Sequence, residues 1–306
     1  MLPVRDGVGA SQVSLPEGRW ACMLDFLVER FPAIPASEWV LRIDSGDVVD
    51  AAARAITPQQ SYVPHGKLYY YRTVAHEPAN AAQATVLFED ELLVVADKPH
   101  FLPVTPAGQY LQQTLLVRLR RQLGLPELTP LHRIDRETAG VVLFAKQPAF
   151  CAGYQALFAG RRIEKNYQAI APHDARLRFP LTRTSTLVTS DHFMQMRESD
   201  AAQGAQPNAQ TEIEVMETSG PWARYRLRPL TGKRHQLRVH LAALGLPILG
   251  DRIYPNLLRP GADESANPLR LLAESIAFID PISGEHRHFA SHRQLHFPTA
   301  PCVPAA

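Results

Sequence analysis

A single carboxylate, Asp135, stands between Arg133 and Arg136, just before a run of small and apolar residues. Guanidinium groups within a few ångströms stabilise a carboxylate anion, so such an aspartate stays ionised and can act as a nucleophile or a base. The apolar run 141–145 is too short for a core helix and predicts a buried strand. A solvated ion-pair loop is the alternative interpretation. The stretch therefore predicts a reactive carboxylate at the start of a strand.

A strictly alternating segment, 222–230, lies further along the chain. Its period predicts a strand with Tyr225 and Leu227 on one face. The other face carries three arginines, namely Arg224, Arg226 and Arg228. Taken alone, such a basic strand is either a surface for a polyanion or a solvated edge.

The residues after this strand predict a turn at Thr231-Gly232 and a helix that starts at Lys233. Leucines spaced along that helix form a buried stripe, with Arg234 and Arg238 on the opposite side. Because free amides and the helix dipole favour anions at a helix N-terminus, Lys233 and Arg234 predict phosphate contacts. The segment from Trp222 to Gly250 has six lysines and arginines and no acidic residue.

Several motifs in this order resemble RluA-type RNA pseudouridine synthases. His-Arg-Ile-Asp-Arg-Glu-Thr-Ala-Gly at 132–140 resembles the motif that carries the family's catalytic aspartate. The segment 165–169 resembles the family's Lys-x-Tyr-x-Ala motif, and 231–240 resembles Thr-Gly-Arg-Thr-His-Gln-x-Arg-x-His. Asp97-Lys98-Pro99 is similar to the family's first motif. The resemblance covers roughly residues 84 to 297, although Leu272 replaces the family's usual histidine.

The resemblance implies isomerisation of uridine to pseudouridine in RNA, a reaction that needs neither a cofactor nor a metal. It assigns the catalytic role to Asp135, the pairing with that carboxylate to Arg238, and a position against the target base to Tyr167. The target atom is inaccessible in a helix, so the nucleotide must be flipped, with Arg133 or His132 filling the vacated space.

The expected partner is rRNA or tRNA, and the implied RNA contacts extend beyond the catalytic residues. The residues expected to contact RNA are His132, Arg133, Arg136, Lys165, Arg224, Arg226, Arg228, Lys233, Arg234, His235 and Gln236. Which RNA and which uridine are modified does not follow from the motifs.

The implied fold class is α+β, with a mixed, mainly antiparallel sheet and a catalytic cleft across its middle. The expected organisation is a loose tail over 1–18, a degenerate S4-like α/β module over 19–78, and the catalytic domain over 79–306. Between Arg19 and Arg72 basic and acidic residues are equal in number, six of each. A docking module and an RNA-binding module both remain open for this segment.

The apolar patterns predict elements on either side of the aspartate motif. They are a helix from 19 to 31, a helix from Ser37 to Ile43, strands at 86–90 and 92–96, a helix at 114–123, a helix at 148–158, and a strand at 161–171. Residues 183–208 predict only a variable loop or hairpin.

The composition is that of an ordinary globular protein, with 45% hydrophobic and 20% charged residues. No apolar run reaches membrane-spanning length and no secretory signal is visible, so we expect a cytosolic protein. We also expect a monomer. Cys22, Cys151 and Cys302 are far apart and indicate neither a disulfide framework nor a metal site. The C-terminal histidines His286, His288, His292 and His296 lack a carboxylate ligand pattern, which favours solvated or RNA-facing side chains over a metal.

Two other functions compete with the isomerase. A catalytically idle RNA-binding protein would need the basic residues but not Asp135 and Tyr167 at their positions. A hydrolase using Asp135 is the weakest alternative, because no second acid has a clear partner role.

Overall fold

The computed structural model describes residues 2–74, 76–199, 206–258 and 266–298, so Cys302 lies outside the described residues. The chain forms two compact units. The first contains Met1–Pro78 and Pro106–Pro126, and the second contains Ala79–Thr105 and Glu127–Ala306. Residues 106–126 thus cluster with the N-terminal segment, whereas the sequence predicted them as part of a catalytic domain over 79–306. The functional domains themselves stay a prediction.

The first unit is a small three-stranded sheet with three helices. Its strands are β1 (Ser11–Ser14), β2 (Val48–Asp50) and β3 (Lys67–Tyr70), arranged β1-β3-β2 and antiparallel, and its helices are α1 (Met23–Arg30), α2 (Ala36–Asp44) and α3 (Leu115–Leu123). The expected loose tail is wrong for 11–14, because Val13 and Leu15 are buried among Phe26 and Trp39. The N-cap of α2 is Pro35 and not Ser37.

The second unit is built on one ten-stranded sheet. Its strands are β4 (Thr85–Glu89), β5 (Leu93–Lys98), β6 (Thr129–Pro130), β7 (Ala139–Ala145), β8 (Ile163–Pro172), β9 (Leu181–Ser185), β12 (Ala209–Ser219), β13 (Trp222–Pro229), β14 (Leu271–Ile279) and β15 (His286–Ala290). A separate hairpin joins β10 (Leu187–Thr189) to β11 (Met196–Glu198), and the helices are α4 (Pro148–Ala159) and α5 (Gln236–Ala243). The main path runs β4-β5-β7-β14-β8-β13-β12-β9. The α+β class and the mixed, mainly antiparallel sheet are confirmed.

Both helices of this unit pack on the same face of the sheet. On β8, Ile163 belongs to the cluster that holds α4, and Ala169 belongs to the cluster that holds α5. Because these two positions share the parity of Tyr167 on one strand, Tyr167 points to the helix-covered face. Tyr225 and Leu227 of β13 lie on that face as well, fully buried, as their alternation predicts.

The centre of the sheet contains a short parallel contact between β7 and β14, which pairs Ala139 with Leu272 and Gly140 with Ala273. Gly140 has φ 116°, a backbone conformation that favours glycine. A Cβ atom at this position would lie 2.1 Å from the carbonyl oxygen of Ala273. Only glycine therefore allows the two strands to approach this closely next to the loop that carries Asp135.

Candidate active site

The loop before β7 carries Asp135, and buried polar side chains hold its backbone in place. The ammonium of Lys98 donates to the carbonyl oxygen of Arg136 at 3.1 Å, and the Nδ1 of His100 lies 2.6 Å from the carbonyl oxygen of Glu137. The side chain of Asp135 itself stays 27% exposed. The fold thus fixes the loop from behind and leaves the carboxylate open to a ligand.

The partner of this carboxylate is Arg238, a fully buried residue of α5. Its Nη1 lies 3.4 Å from the Oδ2 of Asp135 and 3.7 Å from the Oε2 of Glu137. Its Nε and Nη2 donate to the two carboxylate oxygens of Asp251 at 2.8 and 2.7 Å. A guanidinium held by two parallel charge-assisted bonds has little freedom, so Arg238 presents its remaining nitrogen to Asp135 in a fixed direction. The leucine period predicted Arg238 on the side of the helix opposite the buried stripe, but Arg238 is buried as well.

Asp251 is a site residue that the sequence motifs did not reveal. Its side chain is 1% exposed, and its Oδ1 also accepts the backbone N–H groups of Ile253 and Tyr254. Burial alone would lower the pKa of Arg238, but the hydrogen bonds and charge of Asp251, with the charges of Asp135 and Glu137, raise it. Arg238 therefore stays charged, and a buried guanidinium of this kind needs a full set of acceptors.

His235 lies on the other side of the carboxylate. Its Nε2 is 3.9 Å from the Oδ1 of Asp135, and its Nδ1 is 2.9 Å from the hydroxyl of Tyr254. Burial lowers the pKa of His235 although Asp135 opposes the shift, so the imidazole is largely neutral at pH 7. His235 is the N-cap of α5 with φ 54°, so the predicted helix start at Lys233 is wrong. Lys233 and Arg234 lie in the turn before the helix, not in its first turn.

Tyr167 lies on β8 on the same face as α5 and packs against the cluster containing Leu237 and Leu241. Burial and the negative charge of Asp135 both raise the pKa of Tyr167. The hydroxyl therefore stays protonated at neutral pH, and the side chain offers the site an aromatic face and a neutral phenol.

Lys98 is a second residue whose position in the site became clear only from the structure. It is fully buried, and burial lowers its pKa to about 7 despite the nearby charges of Glu137 and Asp135. Its ammonium donates to two backbone carbonyl groups, those of Pro99 and Arg136. The similarity of Asp97-Lys98-Pro99 to the family's first motif was the signal that marked this position.

Three of the predicted RNA contacts are not exposed and bind the protein's own backbone. Gln236 is 4% exposed and binds the turn to β12, because its Nε2 donates to the carbonyl oxygen of Gln210 and its Oε1 accepts from Thr231. His132 accepts the backbone N–H of Leu143, and burial lowers its pKa to about 3. Lys165 donates to the carbonyl oxygen of Thr231. The structure places these three side chains in supporting positions behind the site.

The arginines of β13 are not brought to Asp135. They lie on the sheet face opposite α5, where β12 places glutamates across from them. Arg224 binds Glu217, Arg226 binds Glu214 at 3.1 Å, and Arg228 donates to Asn166. The basic strip of the sequence is therefore largely neutralised by its neighbouring strands. Its alternation was predicted correctly, and RNA contact by these arginines stays a prediction.

Two cations near the site remain available to a ligand. Arg133 and Lys233 are exposed. Among the residues that the structure describes, their charged groups have no hydrogen-bond or ion-pair partner. Arg136 differs, because its Nε binds Glu137 at 3.0 Å and its guanidinium lies 5.5 Å from the ring centre of Phe101. The free positive charge therefore comes from the turns on either side of Asp135.

The chain is similar to known proteins over most of its length. The family model described as RNA pseudouridylate synthase matches residues 92–243. The dual-specificity RNA pseudouridine synthase RluA of Escherichia coli K12 is 32% identical over 220 residues, which are 70% of this chain and 95% of that protein. The chain belongs to the RluA-type RNA pseudouridine synthases. This confirms the family predicted from the motifs.

Other relatives of this synthase family differ in length. Human pseudouridylate synthase RPUSD2 is 36% identical over 180 residues, which cover 58% of this chain and 32% of the relative, so the chain spans about a third of that protein. The solved structure of human RNA pseudouridylate synthase domain containing 4 has a TM-score of 0.53 and 27% identity, and the match covers 69% of this chain and 88% of that one.

None of the helices described here is long and apolar enough to cross a membrane. In the same part of the chain, no group of three or more histidine, cysteine, aspartate or glutamate side chains is arranged to hold a metal ion.

Proposed function

We propose that this synthase converts a specific uridine to pseudouridine in a structured RNA, either rRNA or tRNA, with Asp135 as its catalytic residue. The observation that carries this proposal is the pairing of a part-exposed carboxylate with a fully buried arginine that Asp251 holds fixed. A part-exposed carboxylate that a charged arginine orients in this way suits attack on a sugar or removal of a proton.

In the proposed reaction the N1–C1′ glycosidic bond breaks and a C5–C1′ bond forms. The base loses its C5 proton and gains one at N1, so the composition of the nucleotide does not change. Asp135 attacks C1′ of the ribose or takes its 2′ proton, and Arg238 stabilises the carboxylate whenever it carries the charge. Because its pKa is raised, Tyr167 acts as a protonated phenol that stacks on the uracil.

Entry of the uridine requires the nucleotide to leave its stack. Arg133 is the better candidate to fill the vacated space, because it is exposed, whereas His132 is held by Leu143. We propose that Arg133, Lys233 and the exposed side of Arg136 contact the RNA, that the enzyme acts as a cytosolic monomer, and that the S4-like segment 19–78 serves as a docking module. The docking role proposed for that segment rests only on its equal numbers of basic and acidic residues.

The test is tritium release from RNA that carries 5-tritiated uridine, comparing the wild type with Asp135→Asn. The amide is nearly isosteric with the carboxylate but is neither a nucleophile nor a base, so release should stop while RNA affinity changes only a few-fold. Normal release by the variant removes Asp135 from the mechanism. Binding without release by the wild type would instead support the idle RNA-binding protein.

A further inference from the structure

The hairpin β10–β11 ends in a large exposed aromatic side chain beside the active site. Phe193 is 74% exposed, the highest value among the exposed large hydrophobic residues in the described part of the chain. Its ring stacks on that of His192, with centroids 5.2 Å apart and an angle of 23° between the planes. Exposure of a phenylalanine to water is unfavourable, so a ring held in the open beside a binding site suggests a ligand.

The tip of this hairpin is held by Arg234. Its Nη1 donates to the carbonyl oxygen of Phe193 at 2.9 Å, and its Nη2 donates to that of Met194 at 3.0 Å. The sequence predicts a phosphate contact for Arg234, but in the structure both of these donors are directed at the hairpin backbone. The two bonds fix the backbone that carries Phe193 and do not involve its ring.

The base of the hairpin is joined to the catalytic residues. The backbone N–H of Met196 donates to the hydroxyl of Tyr254 at 2.7 Å, and that hydroxyl is 2.9 Å from the Nδ1 of His235. His235 in turn faces Asp135. The Nε2 of Gln195 donates to the carbonyl oxygen of Ile253 at 2.7 Å. Both ends of the hairpin are therefore anchored to the segments that position Asp135 and Arg238.

We infer that Phe193 is a stacking platform for a nucleobase that flanks the target uridine, and that Arg234 is the residue that positions it. This inference rests on the proposed function, because it takes the occupant from the RNA substrate. A flipped nucleotide leaves its neighbours unstacked, and a planar ring that replaces their lost stacking suits every base. The free cations Arg133 and Lys233 supply the charge that a phosphate backbone needs, and Phe193 supplies an apolar face.

The main variant is Phe193→Ala in the full chain, assayed by tritium release from total cellular RNA labelled with 5-tritiated uridine. Removal of one stacking contact should raise KM roughly 5- to 150-fold with a smaller change in kcat. Phe193→Trp should keep near-wild-type KM, and Phe193→Leu should behave like alanine because it is apolar without a π face. Ile282→Ala is the matched control, since Ile282 is 49% exposed and lies in the β14–β15 turn.

Two further measurements separate stacking from charge. The slope of log affinity against log salt should not change in Phe193→Ala, because no phosphate contact is lost. Arg234→Gln should raise KM as Phe193→Ala does, and the double variant should be no worse than either single variant. Additive losses with a shallower salt slope in Arg234→Gln would mean that Arg234 binds phosphate and does not position the ring.

The outcomes distinguish this inference from the function on which it rests. If the wild type releases no tritium, the proposed function fails and the stacking role falls with it. If the wild type is active and Phe193→Ala matches its KM, the stacking role is overturned and the function stands. A change in sedimentation of Phe193→Ala with unchanged KM would assign the ring to a protein interface, which also overturns the inference.

Discussion

Replacement of Asp251 by asparagine should damage both stability and turnover, although this residue is not expected to touch substrate. Asp251 and Arg238 are each 1% exposed, and two hydrogen bonds of 2.8 and 2.7 Å join them. Loss of one partner of a buried ion pair costs about 3–5 kcal/mol, because the other charge stays buried. Asparagine keeps one acceptor oxygen, so we expect about 3 kcal/mol, the lower end of that range.

This loss corresponds to a fall in melting temperature of about 6–12 °C, measured by thermal unfolding. Turnover should fall about 100-fold, since displacement of Arg238 by an ångström misplaces its contact with Asp135. Asp174→Asn is the control, because it breaks the exposed pair with Arg176 and should change neither quantity.

The double variant Arg238→Met with Asp251→Leu sharpens the test. Apolar replacement of a whole buried pair is often neutral for stability, but here the backbone N–H groups of Ile253 and Tyr254 also lose their acceptor. This variant should therefore recover part of the melting temperature and none of the activity. Wild-type stability and turnover in Asp251→Asn would refute the view that Asp251 fixes Arg238.

Two other predictions concern charge elsewhere in the catalytic unit. Burial lowers the pKa of His240 from its ordinary 6.5 to about 4, so the unfolded chain binds a proton that the folded chain excludes. Stability should therefore fall as pH drops from 6.5 to 4, and His240→Gln should reduce that loss by up to about 3 kcal/mol in urea titrations; an unchanged pH dependence would contradict the assignment. Lys233→Gln should reduce the slope of log RNA affinity against log salt by about one ion equivalent. Arg226→Gln should leave that slope unchanged, because Arg226 is paired with Glu214. Equal effects of the two variants would show that β13 also contacts RNA.

The sequence was most informative where function depends on local spacing. The pattern around Asp135 predicted a carboxylate before a buried strand, and β7 is buried over its whole length. The alternation of 222–230 predicted the two faces of β13 correctly. The apolar period predicted α3 at 114–123 and α4 at 148–158, each within one residue of its observed bounds, and the structure shows Thr114 as the N-cap of α3.

Properties that depend on pairing between distant segments were not visible in the sequence. The neutral face of β13 follows from the register that places Glu214 opposite Arg226 and Glu217 opposite Arg224. Residue type alone also does not reveal whether a side chain is buried. Gln236 therefore looked like a surface residue that could bind RNA, whereas its side chain has four partners within the protein. The start of α5 was missed because a left-handed N-cap at His235 leaves no pattern in the sequence.

The close parallel contact of β7 with β14 at Gly140 constrains how an enzyme with this scaffold can evolve. Asp135 belongs to the half of the sheet that contains β7, whereas Tyr167 belongs to β8 on the other side of this contact. A methyl group at position 140 would collide with the backbone of Ala273 and push β7 away from β14. Any substitution there therefore disturbs the relative position of Asp135 and Tyr167. New substrates must therefore be acquired by change in peripheral turns such as the β10–β11 tip, while the spacing of the reacting groups is inherited unaltered.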